Sequence, residues 1–137
     1  MEIIQTSIRR KRKSDELILT VCLYRTNGTF ALTVYAGETL KADKATAAFI
    51  CVDKGVFFLG LDTVHRKGHT MPLHKDNSKA HRQYKAQPQY RFSSKAIAEM
   101  MLGGVYPVTC RFEIDPIAVP GPNGLPVFRL TKIEATP

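Results

Sequence analysis

The sequence predicts an α+β fold dominated by antiparallel sheet, a small barrel or a strongly curved sheet, with one clear helix over about 94–102. Three observations lead there. Two hairpins stand in the first half, around Asn27-Gly28 and Lys54-Gly55. Residues 90–114 read as short strand, capped helix, glycine stop and long strand. The rest carries period-two apolar patterns or none. With 137 residues, 44% hydrophobic and 23% charged, the chain reads as one domain, 1–137, with material for one core.

The elements follow in order. Ile3, Ile4 and Ile8 suggest a first strand of weak period. Leu17, Leu19, Val21 and Leu23 share one face of the next, and Phe30, Leu32 and Val34 one face of its partner over 29–35. A two-residue Asn27-Gly28 turn would set Leu23 against Leu32 and Val21 against Val34. Residues 36–44 allow one or two helical turns, weakened by Gly37. Strands over 45–53 and 56–61 flank Lys54-Gly55. Their apolar runs do not alternate, which predicts cover on both faces, by the fold or by a second copy. Residues 62–89 show no period and read as one long basic loop.

The second half is clearer. Ser93 or Ser94 can cap a helix whose apolar face is Ile97, Met100 and Met101. Gly103-Gly104 offers the left-handed exit. Tyr106, Val108, Cys110, Phe112 and Ile114 then alternate with polar residues as a half-buried strand. Residues 115–126 hold four prolines and two glycines, and 127–133 close as a strand.

Leu32–Leu61 and Tyr90–Ile133 read alike as β-α-β-β, with Leu40 falling on Met101 and Asp43 on Gly104. This suggests an internal duplication. The second unit, residues 92–114, resembles the swapped-hairpin element of the AbrB/MazE/SpoVT family of bacterial DNA-binding regulators. The residues that carry the likeness are Phe92-Ser93-Ser94-Lys95-Ala96-Ile97, Leu102-Gly103-Gly104 and Val105 onward. That resemblance implies two intertwined elements forming a small barrel that docks on DNA, here with both copies in one chain. The chain differs in its basic insertion, its proline-rich last connection and the lack of a proline before the helix.

Charge points the same way. The net charge is +8. The arm Arg9-Arg10-Lys11-Arg12-Lys13 contributes +5, and residues 63–89 another +5 from Arg66, Lys67, Lys75, Lys79, Arg82 and Lys85 against Asp76. The remainder is therefore −2, so the excess lies in two irregular segments, as a polyanion footprint would. Tyr84 and Tyr90, beside Arg91, are interleaved with those cations as candidate stacking residues for unpaired bases. The expected function is non-catalytic binding of DNA or RNA, single-stranded in preference. The blander reading of both segments is a solvated arm and loop, with a localisation signal as a further role for the arm. The competing class is a protein-interaction or assembly module of phage or mobile-element type, for which a homodimer through the 45–61 hairpin is the expected form.

Other chemistries find little support. His65, His69 and His74 are spaced for a metal only on a helix that Gly68 and Pro72 would break. No Walker loop, GxSxG or HExxH occurs, and the acidic residues are not clustered for a metal-dependent nuclease. Neither a catalytic residue nor a metal or other cofactor is expected. Cys22, Cys51 and Cys110 are odd in number and sit in apolar strands, which suits reduced core thiols. The sequence shows neither a signal-peptide core nor a membrane-spanning run, so a cytoplasmic protein with no membrane partner is expected.

Overall fold

The computed structural model describes residues 16–76, 89–103 and 108–136. The apolar start at 3–8, the arm 9–13, Lys79, Arg82, Tyr84, Lys85 and Tyr106 lie outside these residues. The chain forms β1 (Ile18–Leu23), β2 (Gly28–Leu32), α1 (Val34–Thr39), a 3₁₀ turn (Ala42–Lys44), β3 (Ala47–Asp53) and β4 (Val56–Asp62). β5 (Met71–Pro72), β6 (His74–Asp76), β7 (Gln89–Ser93), α2 (Lys95–Leu102) and β8 (Val108–Ile114) follow. β9 (Val119–Pro120), a 3₁₀ turn (Pro122–Gly124) and β10 (Pro126–Thr136) complete it.

The fold is α+β and mostly antiparallel sheet, as the sequence predicts. Strand order is β5-β3-β4-β10-β8-β1-β2-β7-β6, with β9 paired to β10. β10 belongs to both halves. Its first residues pair with β4, and those from Leu130 onward pair with β8 across a register shift between Lys132 and Glu134. The two ends of the order, β5 and β6, are separated only by Leu73, whose N–H donates to the Thr46 carbonyl at 3.0 Å. One stretch of chain thus lines both edges and brings the sheet to a nearly closed barrel, which leaves little edge open.

One continuous core fills the barrel. Leu19, Val21 and Leu23 from β1 meet Phe30 and Leu32 from β2, Phe92 from β7 and Cys110 and Ile114 from β8. Phe30 and Phe92 are cross-strand partners whose rings stack with centroids 4.8 Å apart and planes 6° apart. Such a pair adds about 0.5–1.5 kcal/mol beyond the area it buries. On β8 the buried residues Cys110, Phe112 and Ile114 alternate as predicted.

The first hairpin forms with a different register. Leu32 pairs with Leu19 rather than Leu23, and Val21 with Phe30. The loop is Tyr24–Asn27, closed by the Tyr24 N–H donating to the Asn27 carbonyl at 2.8 Å. An even slip keeps the same faces together, so apolar alternation cannot detect it. Gly28 is a strand residue, needed for close approach: a Cβ there would lie 2.5 Å from Ala98 Cβ and 2.8 Å from the Ser94 carbonyl on α2.

α1 also begins earlier than predicted. Thr33 ends β2 and caps the helix, accepting from the Ala36 N–H at 3.3 Å, so Val34 is helical and not a strand residue. In α2, Ser94 caps as expected and Gly103 exits at φ 81°. Its buried face is Ala98 and Met101, while Met100 points outward at 65% exposure. The small Ala98 sets that face, because it lets the helix seat on Gly28.

The Lys54-Gly55 turn is as predicted, with both residues at positive φ. The hairpin it joins is covered only at its base. Ala47, Ala48 and Phe49 are buried, whereas Val52 near the tip is 55% exposed. β5 lines β3 only at Ala47 and Ala48, so the tip projects past its cover.

Candidate nucleic-acid interface

Residues 62–76 of the predicted structureless loop 62–89 are ordered. The apolar Met71-Pro72-Leu73 within the polar run was the overlooked sign. Met71 is buried and starts β5, and β6 follows to Asp76. β6 pairs with β7 in the register His74 to Arg91, Lys75 to Tyr90 and Asp76 to Gln89. Asp76 and Gln89 are thus paired at one edge, and Lys79, Arg82, Tyr84 and Lys85, which fall between them in sequence, lie outside the described residues.

At that edge His74, Lys75 and Arg91 are exposed. Opposed residues in an antiparallel pair project to the same side, so His74 and Arg91 stand together. An Arg91 Nη donates to Gln89 Oε1 at 3.0 Å, which steadies the guanidinium.

Tyr90 does not fit the predicted stacking role. It is 7% exposed and packs under α1, its ring 3.0 Å from where a Gly37 Cβ would stand. Burial pushes its hydroxyl up, and the Asp43 carboxylate adds to the shift. Strand alternation explains the error: Arg91 takes the outer side, so Tyr90 and Phe92 face the core.

Arg66 and Lys67 lie on the turn between β4 and β5. That turn is organised by polar bonds rather than by core packing. Asp62 Oδ1 accepts from the Val64 N–H at 3.1 Å, and Oδ2 accepts from Arg66 Nε at 3.4 Å. Thr70 Oγ1 accepts from the Arg66 N–H at 2.7 Å and lies 2.8 Å from His65 Nδ1. The Arg66 carbonyl accepts from the His69 and Thr70 N–H groups, both at 2.9 Å. Gly68 takes the left-handed conformation within it, at φ 84°.

Asp62 is the buried charged side chain of the described residues, at 5% exposure. The Val64 N–H, and after it the Arg66 guanidinium, hold its carboxyl below the usual range despite the opposing effect of burial. Asp62 is assigned no role from the sequence. The signal was its place four residues before Arg66.

Arg66, Lys67, His65 and His69 are all exposed on this turn. The turn runs directly into β5, and β5 into β6, so both basic groups belong to the one stretch of chain that lines the two edges of the sheet. Among the described residues, no three His, Cys, Asp or Glu side chains gather in a way that could hold a metal ion. The three cysteines are free thiols on β1, β3 and β8, and burial pushes Cys51 and Cys110 up, away from nucleophilic thiolate. No described helix is long and apolar enough to cross a membrane. No family model, curated protein or solved structure matches the chain.

Proposed function

We propose that the protein binds nucleic acid without acting on it chemically, contacting phosphates with the arm Arg9–Lys13 and with the basic segment between β4 and β7. One observation carries this reading. Two of the groups of cations in that segment, on the β4–β5 turn and on the β6–β7 edge, belong to the one stretch of chain that lines both sheet edges, while the chain outside the two basic segments sums to −2. Lys79, Arg82 and Lys85 fall in sequence between the paired residues Asp76 and Gln89. With Tyr90 buried, Tyr84 remains the stacking candidate for an unpaired base.

The order of elements supports a duplicated unit of swapped-hairpin type. Strand, helix, strand, strand occurs twice, as β2-α1-β3-β4 and as β7-α2-β8-β10, the second with the two-residue β9 inserted before its closing strand. The leading strands β2 and β7 pair, and the closing strands β4 and β10 pair. Thr33 and Ser94 cap the two helices in the same way, each accepting from the N–H three residues on at 3.3 Å.

The test is to neutralise Lys75, Lys79, Arg82 and Lys85 together. Affinity is expected to fall, and the slope of log K against log salt to flatten by about 0.7–0.9 for each phosphate that is no longer neutralised. The free energy of unfolding is expected to change by no more than ~0.5 kcal/mol. Unchanged affinity would reject the segment as the binding surface. The assembly reading has its own support in two exposed apolar side chains at the hairpin tip, Val52 at 55% and Ile117, beside Lys54 and Val56, at 74%. Association through that surface would survive high salt, which weakens binding to phosphates.

A further inference from the structure

The β4–β5 turn also forms one wall of a cleft of about 470 Å³. That is within the range of about 300–1,000 Å³ typical of small-ligand sites. The opposite wall comes from the base of β3 and from the turn before β10. Phe49, Ile50 and Leu125 make it apolar, and Asp62, Arg66 and His69 face it from the turn. Phe49 owes its position to Gly60, its cross-strand partner: the ring occupies the space where a Gly60 side chain would stand.

The polar side is prearranged. Asp62 is almost fully buried and bonded to the Val64 backbone, so it is a fixed point. It holds Arg66 through Nε alone. The arginine side chain is 51% exposed and has no second side-chain partner among the described residues. Its two terminal amino groups are thus unengaged by these residues, on a guanidinium already held in place, which is the arrangement that grips a phosphate or carboxylate bidentately. The Arg66 carbonyl, by accepting from the His69 N–H, keeps His69 on the same wall.

We infer that this cleft binds an organic phosphate with a flat body, of nucleoside monophosphate type, with its phosphate on Arg66 and His69 and its base against Phe49, Ile50 and Leu125. Such a group has two sources, a free nucleotide or the 5′-phosphorylated end of a strand. The second would extend the nucleic-acid reading, whereas the first is independent of it.

The test uses the full chain, with nucleoside monophosphates, the parent nucleosides and inorganic phosphate followed by NMR titration. In parallel, one oligonucleotide is compared with and without its 5′-phosphate. Saturable binding of a monophosphate, tighter than either the nucleoside or inorganic phosphate alone, is expected, with shifts at Phe49, Ile50 and His69. Arg66→Lys keeps a charge beside Asp62 but loses the fork, and should weaken binding roughly tenfold. His69→Ala, at an exposed side chain, should weaken it without changing the melting temperature. A preference for the 5′-phosphorylated strand would identify the strand end as the source. Binding of a monophosphate with no such preference would identify the free nucleotide. The inference is overturned if neither ligand binds, if inorganic phosphate binds as well as the nucleotide, or if both variants bind unchanged. If oligonucleotides bind but the cleft ligands do not, the cleft inference fails and the polymer reading stands. If only the mononucleotide binds, the reverse holds.

Discussion

Gly28 shows how one residue can set the packing between elements. Its missing side chain lets α2 rest on β2 through Ala98 and the Ser94 carbonyl. Gly28→Ala must push the helix away at a backbone atom, which no rotamer change relieves. A loss of about 1–3 kcal/mol is expected, read as a lower urea midpoint at unchanged slope. A loss below ~0.5 kcal/mol would show that the helix floats over that strand. The same glycine marks a limit of sequence reading. Asn27-Gly28 has the composition of a tight turn, but composition does not reveal what packs on a glycine. Tyr90 is the converse case: its type suggested a stacking surface, and the pleat of β7 placed it inside.

At the scale of elements, the two helix caps look alike and differ in their surroundings. Ser94 caps α2. Thr33 caps α1 and also accepts from the Ile18 N–H at 3.3 Å, while its hydroxyl donates to the Glu16 carbonyl. It therefore ties the entry of β1 to the start of α1. Ser94→Ala should cost about 1 kcal/mol and Thr33→Ala about 2 kcal/mol, measured by chemical denaturation. Equal costs would mean that the β1 bonds contribute nothing. The strands of the core and α2 were legible because apolar period and cap residues are local signals. The onset of α1 was not, since Val34 continues the strand alternation and only the Thr33 cap breaks it. The ordered turn after β4 was also hidden. Its stability comes from polar bonds centred on Asp62 and Thr70, which leave no period in the sequence.

For the whole molecule, closure and charge are linked. The short strands β5 and β6, which line both edges of the sheet, belong to the basic segment itself. The stretch that protects the edges thus presents His74 beside Arg91, carries Lys75 next to them, and continues from the turn bearing Arg66 and Lys67. Fold class was legible in the sequence, and so was the concentration of charge. A small barrel was one of the two expected forms, but the means of closure was not legible, because it depends on long-range backbone pairing of β5 with β3 and of β6 with β7. The central claim is that this basic segment, with the arm, meets a phosphate backbone. The most direct measurement is a fluorescence-anisotropy titration of the protein with labelled single-stranded DNA, double-stranded DNA and RNA, at roughly 50 mM and roughly 200 mM salt. Binding at the lower salt is expected, falling at least about tenfold at the higher, with an unpaired strand preferred. Absence of binding to every polymer at the lower salt would contradict the account.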